Sequence, residues 1–591
     1  MKTNQSEQTY KIIVFNMEHL VFMLIFIIAL ALRLLNLGDI PLNEYEANWG
    51  LQAFQMSQGE PVAIGSNPAY VVFTSWLFSF LGSSAAFARL IPALLGSILV
   101  WLPFALRQKL GQVPAIIFAI GLSLDPGLVA VSRVAGSGMI TLGFAALLVI
   151  AWTKKTTSVY GILAGLILLS GPSLWFGGLG VVLGWLLHKM LLRKSVTISF
   201  GRLKPYFVPA VITIFLVATN FSRYPQGLSA FAASIPDFIG GWTTFGEVPA
   251  SQIILALLAY QPLAIIFGLI GMGRAFRNED GLPNFLTAWT VVGLLLVIIY
   301  PSRQTADLIW MLVPLWGLAA NELGRYFRYL PNWNGRVVLI GLFLTFIFLV
   351  FFWMDLSGLT SQAPVSIPDF IQLARTLPDL DFATRAYVLR VIIALLVPIL
   401  IGLSILMIGA GWSAENAYRG FVWGLALFLS LIMVGVTWRA SHLRTNTANE
   451  IWRPGPAAGY LDVMGETVDD FSEWNEGQRA ALEIAYTIES DILEWQLRDQ
   501  SNAHYIEKIS EDNLPAVVIT SLADTNNPVL NSTYRGQSFP IVFHRSWENG
   551  LPPKFLSWFM FRDTTTFSET IVLWARVDIF PGGSELNLKF P

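Results

Sequence analysis

The stretch GDIPLNEYEANWGLQAFQMSQGEP, Gly38 to Pro61, sets Asp39, Glu44, Glu46 and Glu60 just after the first long apolar run of a chain in which only 13% of residues are charged. A carboxylate this close to hydrocarbon is costly unless something uses it. Its uses are few: it can take a proton from a hydroxyl, hold a cation, or accept from the free N–H groups at a helix start. The last use is written in the sequence. Asn43 followed three positions later by Glu46 is a capping box, with Leu42 before it and Gly59 as a stop, so the segment predicts a helix. Glu44 falls in its first turn, where the helix dipole favours negative charge. One cap needs one carboxylate, so the surplus around Tyr45 makes this helix a candidate reactive surface. If Glu46 only caps, Glu46→Gln costs no more than about 1 kcal/mol. If it moves a proton, the same change lowers turnover by on the order of 10² or more.

The elements that position this helix are membrane spans. With 591 residues, 54% hydrophobic and 21 Trp and 41 Phe, the chain is a polytopic membrane protein. About thirteen apolar runs are long enough to be transmembrane candidates, the first of them a span and not a cleaved leader. Arg107 and Lys109, Lys154 and Lys155, Lys189, Arg274 and Arg277, and Arg325 and Arg336 fall in alternate loops once 67–83 is read as non-spanning, which makes those loops cytoplasmic. The other face then receives the loop 38–88 with its helices, the loops 221–250 and 355–386, and everything after 439. The fold class is therefore an all-α polytopic domain over 1–439 with a C-terminal extracytoplasmic domain over 440–591. "LPAVVIT" and "ETIVLWARVDIF" predict strands and "GQRAALEIAYTIESDILEWQLRD" a partly helical segment, so the tail is α+β.

Several function classes drop out. A net charge of −2 gives no basic footprint for nucleic acid, and the absence of cysteine removes disulfides, thiolate metal sites and cysteine nucleophiles. The five histidines form no H-x-x-x-H pair, so a zinc site is not expected. A secondary transporter is disfavoured because no internal repeat carries two matched broken helices.

The order of first span, outer loop "RLLNLGDIPLNEYEANWGLQAFQMSQGEP", then "NPAYVVFTSWLFSFLGSSAAFARLIPALLGSILVWLPFALRQKLG" and "SLDPGLVAVSRVAGSGMITLGF" resembles the polytopic glycosyltransferases of the C-type fold, which include the protein O-mannosyltransferases and aminoarabinose transferases. Later pieces, "YPSRQTADLIWMLVPLWGLAA", "DILEWQLRD" and "YRGQSFP", are similar to a bacterial and archaeal branch described as glycosyltransferase-like or flippase-associated. The resemblance implies a plasma-membrane enzyme that takes a sugar from a polyprenyl-phosphate donor on the outer face, with an Asp-Glu pair in the first outer loop. Here "PLNEYEA" puts Tyr45 at the position of that Asp and Glu46 on the Glu. A phenol with an ordinary pKa near 10 is a poor base at neutral pH, which keeps a non-catalytic helper of lipid-linked glycan assembly or translocation as the alternative.

Transfer of this kind asks for a carboxylate base or cation holder, cations for the lipid phosphate, and an apolar groove. Glu44, Tyr45 and Glu46 are the catalytic candidates, with Asp125 as a partner and a divalent cation as the cofactor these carboxylates could hold. Arg133, Arg223 and Arg303 are the phosphate candidates by bidentate hydrogen bonding, each weighed against a snorkelling interface arginine. Arg303 leads, with Asp307 one turn on as its expected ion-pair partner. Trp175, Trp242 and Trp310 are the candidates for stacking on a sugar.

Overall fold

A computed structural model describes residues 17–192, 204–277, 281–327, 333–361, 367–441, 448–509, 515–523, 533–547 and 550–580. Among them, six segments are long and apolar enough to cross a bilayer: Met17–Leu34, Ala85–Leu110, Ser173–Leu191, Gly281–Ile299, Gly335–Gly358 and Phe382–Ala440. Two bent pairs raise the number to eight if each is one span, Gln112–Leu124 with Pro126–Ser132 at 52° and Ala250–Tyr260 with Pro262–Ala275 at 95°. Thirteen spans are not confirmed. The reason is local: apolar runs such as Lys204–Ala218 are cut short, and at about 1.5 Å per residue its 15 residues reach only about 22 Å.

Both bends sit at a residue followed by proline, Asp125-Pro126 and Gln261-Pro262, where the ring removes a ladder hydrogen bond and disfavours helix in the residue before it. The breaks meet. Asp125 accepts from Leu128 N at 2.8 Å, from Trp316 Nε1 at 2.8 Å and from Gln261 Nε2 at 3.4 Å, which ties the two breaks together, while Arg33 donates to the freed carbonyls of Leu122 and Ser123.

The C-terminal part is α+β. Its six strands are β1 (Ala457–Ala458), β2 (Ile484–Tyr486), β3 (Ala503–Tyr505), β4 (Val517–Ser521), β5 (Tyr534–Arg545) and β6 (Thr566–Arg576). They pair in the order β1-β5-β6-β4-β2-β3, with β2 parallel to β3 and β4 and the other pairs antiparallel. The register slips between Pro540 and Val542, as expected where a proline cannot donate to the ladder. The two predicted strands are β4 and β6. The segment expected to be partly helical carries β2 in its middle and a helix at Asp491–Leu497, because Ile484 and Ala485 enter a sheet whose neighbours lie elsewhere in the chain. Helix Leu461–Glu476 packs on the sheet, Leu461, Met464 and Val468 clustering with Ile484, Val517 and Leu573.

Tail and bundle share one apolar core. Leu42, Ala47 and Met56 of the first loop cluster with Leu461, Ile484 and Trp495, so the tail packs on the loop helix itself.

Candidate functional site

Helix Glu44–Gln58 forms as expected, with Asn43 Oδ1 accepting from Glu46 N at 2.9 Å and Gly59 in the left-handed region at φ 84°. Its carboxylates do more than cap. Glu46 is buried and takes Arg89 in a fork, Nε to Oε1 at 2.7 Å and Nη2 to Oε2 at 2.7 Å. Oε1 also accepts from Ala135 N at 3.0 Å, and Oε2 from Asn43 N at 3.4 Å. Burial alone would raise this carboxyl's pKa; the Arg89 guanidinium outweighs it and holds the group below the usual range. With both oxygens engaged and a lowered pKa, Glu46 is a poor proton acceptor. It ties the loop helix to helix Ala85–Ile98 and to the turn at Ala135. Arg89, near the start of helix Ala85–Ile98, is that carboxylate's partner and also donates to Leu37 O, Ile40 O and Pro41 O.

Glu44 points the other way. Its carboxylate accepts from Ser490 Oγ at 3.0 Å, Asp491 N at 2.7 Å and Ile492 N at 3.4 Å, capping the tail helix Asp491–Leu497 from a distant part of the chain. Asn48 Nδ2 to Asp491 Oδ2 at 2.8 Å reinforces the contact, and a Cβ on Gly50 would stand 3.0 Å from Trp495.

Tyr45 faces a cavity of about 270 Å³ also lined by Trp49, Asn67, Ser137, Ser173, Asp237, Tyr300, Gln304, Asp307 and Trp452. Its hydroxyl donates to Gly136 O at 3.2 Å, and burial pushes the phenol up to about 12, so it stays protonated at neutral pH. Gly136 itself has φ +69°, and a Cβ there would lie 2.4 Å from Trp49 Cδ1, which is why glycine stands at this turn. Across the cavity, Asp307 Oδ2 accepts from Gln304 N at 2.9 Å. Burial pushes its carboxyl up to about 7, against the pull of that N–H. A carboxyl poised near neutrality on the wall of a polar cavity has the properties of a general base.

A second, smaller cavity of about 20 Å³ adjoins the first, with Val134 and Trp452 lining both. Around it stand Glu46, Arg89, Arg133 and Arg453, three guanidiniums against one carboxylate. Burial lowers Arg453 to about 10, still cationic at neutral pH. Arg133 donates to Leu32 O, Arg33 O, Leu35 O and Asn36 O, fastening the end of the first span.

Several sequence candidates lie elsewhere. Asp125 is held at the helix breaks and lines neither cavity. Arg303 does not pair with Asp307; it donates to Val248 O at 3.3 Å, and Asp307 turns back on the backbone of its own turn, because capping satisfies it at shorter range. Arg223 is exposed and lies against Gly59. Trp175 donates to Ser234 Oγ, and Trp310 is buried with its Nε1 on Ser173 Oγ, so its face is packed. Trp242 sits beside the site, edge-on to Tyr300 at 5.2 Å, without lining the cavity. Of the eleven candidates named from sequence the cavity gathers Tyr45 and Asp307. Sequence reasoning missed Asp237, Trp49, Trp452 and Arg453. Asp237 carried a signal, an isolated carboxylate in the apolar run "SIPDFIGGW"; Trp452 and Arg453 had none, since only folding brings the start of the tail back to Val134. Among the described residues, no group of three His, Cys, Asp or Glu is placed to hold a metal ion.

No family model and no curated protein matches the chain. Among solved structures, it is similar to ArnT from Cupriavidus metallidurans bound to undecaprenyl phosphate, at 12% identity and a TM-score of 0.47 over 86% of this chain and 92% of that one. It is also similar to the archaeal oligosaccharyltransferase AglB from Archaeoglobus fulgidus in complex with an inhibitory peptide and a dolichol-phosphate, at 12% identity and a TM-score of 0.38 over 85% of this chain and 69% of that one.

Proposed function

We propose that the chain is a membrane glycosyltransferase that moves a sugar from a polyprenyl-phosphate donor to an acceptor hydroxyl at the Tyr45–Asp307 cavity, on the outer face of the plasma membrane. The observation that carries this reading is Asp307, whose carboxyl is held at about 7 on the cavity wall. In this scheme Asp307 takes the acceptor's proton, Asp237 and Tyr45 position the sugar, and the donor phosphate lies toward Arg89, Arg133 and Arg453, whose summed charge stabilises the departing phosphate. Glu46 positions Arg89. Tyr45 stands where the resemblance implies an Asp, and that work passes to Asp307, a carboxyl distant in sequence that lines the same cavity. The tail, from 440 onward, is the extracytoplasmic part and supplies Trp452 and Arg453.

One observation favours the second reading, a non-catalytic helper of glycan assembly: the residue at the family's Asp position is a phenol raised to about 12. Sugar release from a polyprenyl-phosphate sugar by the purified chain separates the two. Turnover should rise with pH through one ionisation near 7, and Asp307→Asn should lower it by on the order of 10² or more while the fold persists. No release with any donor would select the helper.

A further inference from the structure

The second half of the bundle carries an apolar groove of about 800 Å³ that shares no lining residue with the Tyr45–Asp307 cavity. It arises from how helices Gly335–Gly358 and Ala414–Ala440 pack. Where they start, glycines bring the backbones together: a Cβ on Gly420 would stand 2.6 Å from Val338 O, and one on Gly424 2.7 Å from Leu342 O. Further along, Phe346 and Trp353 meet Phe428 at 6.4 and 6.3 Å between ring centroids, and the bulk of these rings spreads the helices toward the tail side. The wedge between them is the groove. From Leu425 to Arg439 it follows the second helix for about 21 Å, and from Phe346 to Ser357 the first for about 16 Å. One leaflet's hydrocarbon is about 15 Å deep, half of a core of about 30 Å.

The mouth is charged. Arg439 and Arg562 line it with no carboxylate among the lining residues. Arg562 is turned inward, 3.7 Å from Glu450. Arg439 is exposed, with Nη1 donating to Met560 O at 2.7 Å. That carbonyl belongs to the tail helix Phe555–Phe561, which lies over the groove with Phe559 6.0 Å from Trp353.

We propose that this groove binds an anionic phospholipid of the tail-side leaflet, one chain in the wedge and the phosphate at Arg439, and that the lipid fastens helix Phe555–Phe561 to the bundle. Charge complementarity at the mouth and a length of one leaflet fit a bilayer phospholipid. The sugar donor has its own place at the other cavity.

The test uses the full chain, stripped of lipid in detergent, then given phosphatidylglycerol or phosphatidylcholine with identical chains, with retention read by native mass spectrometry. Wild type should retain phosphatidylglycerol about fivefold better, the worth of one arginine facing a net negative headgroup, because the choline cation of phosphatidylcholine offsets the same phosphate. Arg439→Gln should erase that preference and increase amide exchange in 555–561. A Cβ at Gly435 meets nothing within 4 Å, so Gly435→Phe fills the groove without a backbone clash and should cut retention by on the order of tenfold; Gly273→Phe, equally unobstructed but outside the groove, should not. Equal retention of both lipids by wild type, Arg439→Gln and Gly435→Phe means annular lipid only and overturns the proposal. Polyprenyl phosphate displacing phosphatidylglycerol from wild type overturns the choice of occupant. Should Gly435→Phe fail to fold, Arg439→Gln decides on its own.

Discussion

Glu46→Gln distinguishes a cap from an anchor by its effect on stability. The substitution keeps an oxygen for Asn43 N or Ala135 N, so a cap alone would lose no more than about 1 kcal/mol. It also removes the negative charge from an ion pair in which the Arg89 and Glu46 side chains are 4% and 1% exposed, and turns an amide N–H toward the guanidinium. Breaking a buried pair from one side costs about 3–5 kcal/mol, because the remaining charge is left in a poor solvent. The three carbonyls that Arg89 also reaches, Leu37, Ile40 and Pro41, orient it without neutralising it. At roughly 2–4 °C per kcal/mol for 150–250 residues, the melting temperature should drop by about 6–20 °C, toward the low end for a chain this long. Thermal scans of purified protein at one scan rate measure it, and Glu46→Gln combined with Arg89→Met should recover much of the loss by removing both charges. A Glu46→Gln variant that melts within about 1 kcal/mol of wild type while its turnover collapses would refute the anchor and make Glu46 a reacting group.

Glu44→Ala should loosen the tail helix Asp491–Leu497 by about 0.5–2 kcal/mol, the usual worth of a cap, seen as faster amide exchange across 491–497 with little change in the bundle. Gly136→Ala should destabilise the fold and perturb the cavity, since φ +69° is strained for alanine and its Cβ would meet Trp49; wild-type melting and Trp fluorescence would refute this. Protonation of Asp307 also bears on stability. Its folded value of about 7 exceeds its ordinary 3.8, so its contribution is fully present below pH 3.8 and is lost as pH rises through about 7; Asp307→Asn should flatten that part of the stability profile. Because the native chain has no cysteine, Ser57→Cys should react with an impermeant thiol reagent in intact cells and Thr153→Cys should not; the reverse pattern would invert the proposed orientation.

The sequence by itself determined the solvent of this protein and its local punctuation. Apolar runs needing a bilayer, the capping box at Asn43 and Glu46, the stop at Gly59 and the strands at 517–521 and 566–576 depend on a few neighbouring residues, so they are legible in order along the chain. The number of spans was not, because short helices and proline breaks divide apolar runs in ways that only packing resolves. Partnership was not legible either. Glu44, Tyr45 and Glu46 are consecutive, yet each points about 100° from the next around the helix, and the fold sends them to three destinations: a tail helix, a cavity and Arg89. Whether a carboxylate is neutralised, capped or left poised near neutrality depends on the charges and dielectric around it, and those come from residues brought together only in three dimensions.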